Sequence, residues 1–152
     1  MSMFCYQCEQ TAKGTGCTAH GVCGKDPETA ALQDLVIHVA EGVSQYAHRA
    51  RQLGTGHRAA DLFVVETLFA TVTNVDFDPQ RLTALIRQGA GVREDVRKAY
   101  IEACRKAGRQ PESAGADAAI ELAGDQDGMI RQGEQVTIQK RIDALGNDVA
   151  GL

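Results

Sequence analysis

The sequence predicts an all-α protein, an antiparallel helical bundle with a cysteine-rich cluster-binding loop at its N-terminus. Three observations lead there. After Leu32, apolar residues recur at i, i+3, i+4 and i+7 for about six turns. The pairs Asp26-Pro27 and Asp78-Pro79 are helix starts, with Asp as N-cap and Pro at the first helical position. Four of the five cysteines, Cys5, Cys8, Cys17 and Cys23, fall within the first 25 residues, among glycines and threonines that suit neither a helix nor a strand.

The chain divides into a loop over 1–25, a helical bundle over 26–108 and a tail over 109–152. The first helix starts at Asp26-Pro27-Glu28 and buries Leu32, Leu35, Val36, Val39, Val43, Tyr46, Ala47, Ala50 and Leu53. Gly54 closes it. Ile37 lies on the opposite face, where another domain could cover it. A second helix runs from about Asp61 with Leu62, Val65, Leu68, Phe69 and Val72 on one face, and Asn74 ends it. Leu82, Leu85 and Ile86 follow Asp78-Pro79; Gly89 and Gly91 then interrupt. A further helix carries Val92, Val96, Ala99, Tyr100 and Ala103 and ends near Gly108.

Beyond Arg109 the pattern weakens. Residues 111–115 read as a loop, 116–123 as a short helix and 125–135 as another, while 136–138 is too short for a strand. At the end, Asn147 resembles an N-cap with Asp148 in the first turn, but the helix they would begin has no residues left. The tail therefore reads as irregular and short-helical, stopping at a helix start, as in a piece or a shortened relative of something longer.

Composition bounds the function. The 152 residues fit one domain, 43% hydrophobic and 24% charged, with no Trp and a net charge of −4. Nothing in that charge favours nucleic acid, which would ask for a basic face, and no apolar run reaches a membrane span; neither is expected as a partner. Met1-Ser2-Met3-Phe4 lacks the features of a secretory signal. The expected location is the cytoplasm, where clustered cysteines bind metal or do redox work rather than form disulfides.

The cysteine spacing is C-x2-C-x8-C-x5-C. Four thiolates converging on one point suit a tetrahedral zinc or an iron–sulfur cluster. Structural zinc sites usually show two tight knuckles, and here only the first pair is tight. The common ferredoxin run also differs, since its gaps are shorter and a proline follows its last cysteine, where this chain has Gly24. Iron–sulfur is favoured; zinc stays open at this point.

The residues between the cysteines narrow the choice. The runs Phe4-Cys5-Tyr6-Gln7-Cys8-Glu9-Gln10-Thr11-Ala12, Gly16-Cys17-Thr18, Gly21-Val22-Cys23-Gly24-Lys25 and Ala31-Leu32-Gln33-Asp34-Leu35 resemble the N-terminus of the hybrid cluster proteins, the prismane or hydroxylamine reductase family. The likeness continues through residues 68–74 and covers most of the chain. It implies that Cys5, Cys8, Cys17 and Cys23 hold a 4Fe–4S cluster as cofactor and metal ligands, with no catalytic residue among them. Complete members add a second helical bundle and two α/β domains, whose His, Glu and Cys residues hold a hybrid cluster that reduces hydroxylamine or nitric oxide. Those domains are absent here, and Cys104 alone cannot build a second cluster. By resemblance the chain is an electron-transfer domain, partnered by a redox donor protein and by the remaining domains or another subunit. Whether it is itself an enzyme stays open. Residues 147–152 resemble the point where the family's second helical bundle begins.

Other residues have plainer readings. Cys104 is a half-buried structural thiol. His20 lies inside the loop and could tune the cluster, while His38, His48 and His57 read as solvated or packed. Lys13 and Lys25 bracket the loop; they could favour an anionic cluster, but read first as solvated surface lysines. Asp76, Asp78, Glu94 and Asp95 are helix-start acids. The pair Gly89 and Gly91 follows no strand and makes no nucleotide site. Two non-enzymatic alternatives accompany the main reading. One is an iron–sulfur sensor or interaction module docking through Ile37 and other misplaced apolar residues. The other is a zinc-stabilised binding domain.

Overall fold

The computed structural model describes residues 3–8, 11–72 and 76–146. Within them the fold is all-α, and the β pairing consists of one isolated antiparallel bridge between Cys5 and Cys17. The helices are α1 (Pro27–Gln52), α2 (Arg58–Val72), α3 (Pro79–Lys106), α4 (Ala116–Ala119), α5 (Gln126–Gly133) and α6 (Ile138–Leu145). None of the described helices is long and apolar enough to cross a membrane.

Helix α1 is the axis of the bundle, and α2, α3, α4 and α5 all pack on it. It starts as its sequence dictates: the Asp26 carboxylate accepts the Thr29 N–H at 2.7 Å and Pro27 fills the first position. Leu32, Leu35, Val36, Val39 and Val43 are essentially inaccessible to solvent. Burying each contributes roughly 1.5–3 kcal/mol. Ile37, expected on the far face, is half-buried.

Helix α3 corrects one expectation. Gly89 and Gly91 do not split it; a single helix of 28 residues runs through both. Gly89 stands where three helices meet. A Cβ there would lie 2.4 Å from Phe63 Cζ on α2 and 2.5 Å from Val39 Cγ1 on α1. The glycine is thus a contact point, and the propensity loss of roughly 1 kcal/mol is offset by the approach it permits.

Helix α2 departs further. It begins at Arg58, earlier than Asp61, because the His57 Nδ1 atom accepts the Ala60 N–H at 3.2 Å and caps the first turn. Its periodic apolar residues Leu62, Val65, Leu68, Phe69 and Val72 are exposed, by 41–67%. The buried side is instead Ala60, Phe63, Thr67 and Thr71. The threonines can go inside because their hydroxyls donate to helix carbonyls, Thr67 to Phe63 O at 2.7 Å and Thr71 to Leu68 O at 3.0 Å. The expected end at Asn74 lies outside the described residues.

After Gly108 the chain returns across α1. Gln45 and Arg49 on α1 hold this return by its backbone: Gly115 N–H donates to Gln45 Oε1 at 2.9 Å and Arg49 Nη1 to Ser113 O at 3.1 Å. Helix α4 stops at Ala119, short of the expected 123, because Ile120 turns extended and Gln132 takes over. Its amide accepts from Ala123 N–H and donates to Glu121 O. Helix α5 lies within the expected 125–135, capped by Asp125 on Gly128 N–H at 2.6 Å. Helix α6 was not anticipated. Arg141 ties it to α1 by a two-pronged bond to Glu41. The expected helix start at Asn147 lies outside the described residues.

Candidate metal centre

The N-terminal segment folds back on itself before α1. Cys5 and Cys17 face each other as an antiparallel pair, with Cys5 N–H donating to Cys17 O at 3.0 Å and Cys17 N–H to Cys5 O at 2.8 Å. Between them, Ala12–Gly14 makes one 3₁₀ turn. Beyond Cys17 the chain reverses again, with Gly24 N–H donating to Gly21 O at 2.9 Å and Gly21 N–H to Lys25 O at 2.8 Å. This turn carries Cys23 over Gly21. A Cβ on Gly21 would lie 3.1 Å from Cys23 Sγ, so the residue's smallness makes room for the sulfur.

All four loop cysteines are free thiols. Cys17 is buried against Met3 and Ala30 at the mouth of α1, Cys5 and Cys8 are half-buried, and Cys23 is exposed. Two of the sulfurs already receive donors. Ala12 N–H points to Cys17 Sγ at 3.4 Å, and Lys25 Nζ to Cys5 Sγ at 3.6 Å. The Cys17 thiol is pulled below its ordinary value by the Ala12 N–H first, then by the Val22 N–H and the Lys25 charge, with burial opposing. A sulfur that accepts hydrogen bonds and favours its anion is prepared to ligate metal.

The donor set is four free thiols on one loop, two of them already accepting hydrogen bonds, and soft donors of this kind suit an iron–sulfur cluster or a zinc ion. Among the described residues, the metal-capable side chains packed within 4.8 Å of one another are His38, Glu41 and Asp117.

Lys25 differs from its expected role. It is 2% exposed, not a solvated lysine. Its Nζ also donates to Gln7 Oε1 at 3.3 Å and sits 5.9 Å from the centre of the Phe77 ring. Lys13 stays exposed, as does His20. Cys104 is buried more deeply than expected, at 2%, in the main core on α3, whereas Cys17 belongs to the small cluster under the loop.

A cavity of about 560 Å³ opens beside the loop, lined among others by Cys5, Lys25, Asp34, Ile37, His38 and Leu68. Burial pushes the Asp34 carboxyl up to about 7, with Lys25 pulling the other way. His38 is buried with its Nδ1 3.3 Å from Asp117 and 3.8 Å from Glu41. Burial lowers the His38 pKa, against the pull of Asp117. Arg141 supplies the cation between these carboxylates, so the group reads as an ion-pair tie between α1, α4 and α6. Sequence reasoning missed the tie because Arg141 lies 100 residues from Glu41. The spacing of His38 and Glu41 on one face of α1 was its only local sign.

Known proteins share this arrangement of sequence. Residues 3–151 match the model of the Prismane/CO dehydrogenase family. Over 150 residues the chain is 47% identical to a hydroxylamine reductase of Rhodospirillum rubrum, covering 99% of this chain and 27% of that protein. A hydroxylamine reductase of Geobacter sulfurreducens is 48% identical over 135 residues, covering 88% of this chain and 24% of its own length. One from Methanocella arvoryzae is 43% identical over 150 residues, covering 99% and 27%. The chain thus spans about a quarter of the length of these relatives. With nearly every residue matched by the family's model, and close to half of them identical in full-length relatives, this chain belongs to the Prismane/CO dehydrogenase family.

Proposed function

We propose that this chain is the iron–sulfur electron-transfer domain of a hydroxylamine reductase. Cys5, Cys8, Cys17 and Cys23 hold a 4Fe–4S cluster, and the cluster supplies reversible one-electron chemistry when bound. The chain's own residues wrap it, exclude water on the Met3 and Ala30 side and direct Ala12 N–H and Lys25 Nζ at two sulfurs. Those paired donors, on sulfurs that a backbone bridge brings together, are the observation that carries the reading.

Electrons arrive from a redox donor protein in the cytoplasm and leave toward a hybrid cluster on the remaining domains, where hydroxylamine or nitric oxide is reduced. The relatives' greater length supports this division of labour. So does α2, whose exposed apolar face is suited to cover by those domains. In this reading the reducing site lies on those domains, and the chain's remaining thiol, Cys104, is a packed residue of the main core.

Anaerobic purification tests the proposal. The chain should be brown, with about four irons and four sulfides bound. Cys17→Ser should lose iron, and Cys104→Ser should keep it. A colourless chain holding one zinc overturns the cluster, and hydroxylamine turnover by the chain alone overturns its role as electron carrier only.

A further inference from the structure

Lys25 is placed where a cation has little reason to be. Its side chain is withdrawn from water at 2% exposure. It immediately precedes the N-cap of α1, the end of a helix that carries partial positive charge. Both features call for an anionic partner, since burying a charge is costly unless it is paired. Its Nζ meets the neutral Gln7 amide, the face of Phe77 and the Cys5 sulfur. Asp34 shares the cavity, yet its carboxyl is itself pushed toward the neutral form by burial and is a weak counter-ion. The strong anion that would balance Lys25 is a metal-bound thiolate centre at Cys5.

We propose that Lys25 is a positioning residue that raises the reduction potential of the thiolate-bound centre, acting through its buried ammonium on Cys5 Sγ. This rests on the proposed function and adds to it the group that tunes the site. Reduction takes one electron from a donor, and no bond forms or breaks. The added negative charge falls beside a fixed cation in a site of low dielectric, so Lys25 stabilises the reduced form more than the oxidised one. Lys13, exposed on the same loop, carries the same charge in water and acts weakly.

The test uses the 152-residue chain loaded with iron and sulfide under argon, wild type beside Lys25→Met, Lys25→Arg and Lys13→Met. Midpoint potentials are read by dye-mediated titration with dithionite, and iron and sulfide are counted in each sample. Lys25→Met should shift the midpoint to lower potential at unchanged iron content. Lys25→Arg should keep most of the wild-type value, and Lys13→Met should barely move it. The metal-free chain supplies a second readout. Removing a buried charge that no longer has its anion should leave thermal stability unchanged or higher.

Equal midpoints for wild type and Lys25→Met overturn the inference, as does an equal shift from Lys13→Met. Marked destabilisation of metal-free Lys25→Met also overturns it, since Lys25 would then be structural. If Lys25→Met does not load, Lys25→Arg decides: loading at the wild-type midpoint supports the inference, and a lowered midpoint overturns it. A wild-type chain that takes up no cluster refutes the proposed function itself, an outcome distinct from all of these.

Discussion

Alanine at Gly89 and alanine at Gly91 should move stability in opposite directions, although the two positions are two residues apart on α3. Replacing glycine by alanine inside a helix gains roughly 1 kcal/mol from the stiffer unfolded chain. At Gly91 nothing lies within 4 Å of the new Cβ and the site is exposed, so that gain should appear in full. At Gly89 the Cβ would stand 2.4 Å from Phe63 Cζ and 2.5 Å from Val39 Cγ1. Ordinary carbon contacts are about 3.5–4.0 Å, so each neighbour must retreat by about an ångström. Neither has room: Phe63 is 2% exposed and Val39 is 0%. Overpacking of this kind costs about 1–3 kcal/mol, and a clash on two enclosed side chains belongs at the upper end. Net of the propensity gain, Gly89→Ala should lose about 2 kcal/mol, or about 4–8 °C in Tm, while Gly91→Ala gains about 2–4 °C. Urea unfolding of the reduced, metal-free chain, followed by far-ultraviolet circular dichroism, measures both. If the two variants are stabilised alike, the three-helix contact at Gly89 does not exist as described.

Two further outcomes follow from particular side chains. The Asp34 carboxyl is raised to about 7 in the fold, against roughly 3.9 when unfolded. Between those values the folded chain binds the extra proton, so stability falls as pH rises from about 4 to about 7, by at most about 1.4 kcal/mol per pH unit, and then levels. Asp34→Asn should remove that slope in urea titrations of the metal-free chain; an unchanged slope refutes the assignment. On α2, Val65 and Val72 are 67% and 55% exposed. The double variant Val65→Glu with Val72→Glu should reduce hydrophobic-dye binding and self-association while changing stability by less than about 0.5 kcal/mol, and a larger loss would mean that this face is already packed.

Much of the proposed centre is legible in order along the chain. Cys5, Cys8, Cys17 and Cys23 could be singled out because ligand sets in a short loop are a matter of spacing, and the residues between them carry the family likeness. Helix α1 was equally open to reading. Its N-cap is a bond between Asp26 and Thr29, and its stripe from Leu32 to Ala50 is a matter of periodicity; both are local. What the sequence left undecided depends on partners far away. Periodicity shows that apolar residues share a face of α2 but not which face the bundle covers, and here Phe63 and two self-satisfied threonines went inside. Gly89 reads as a helix breaker until Phe63 and Val39 arrive from two other helices. Lys25 reads as a surface lysine until the return of the chain through Cys5 and Phe77 encloses it. The sequence by itself determined the helices with strong local signals and the residues able to ligate. Only tertiary structure decided which faces are buried and which charge stands against the sulfur. Burial is a property of what packs over a residue, and that is set by contacts remote in the chain.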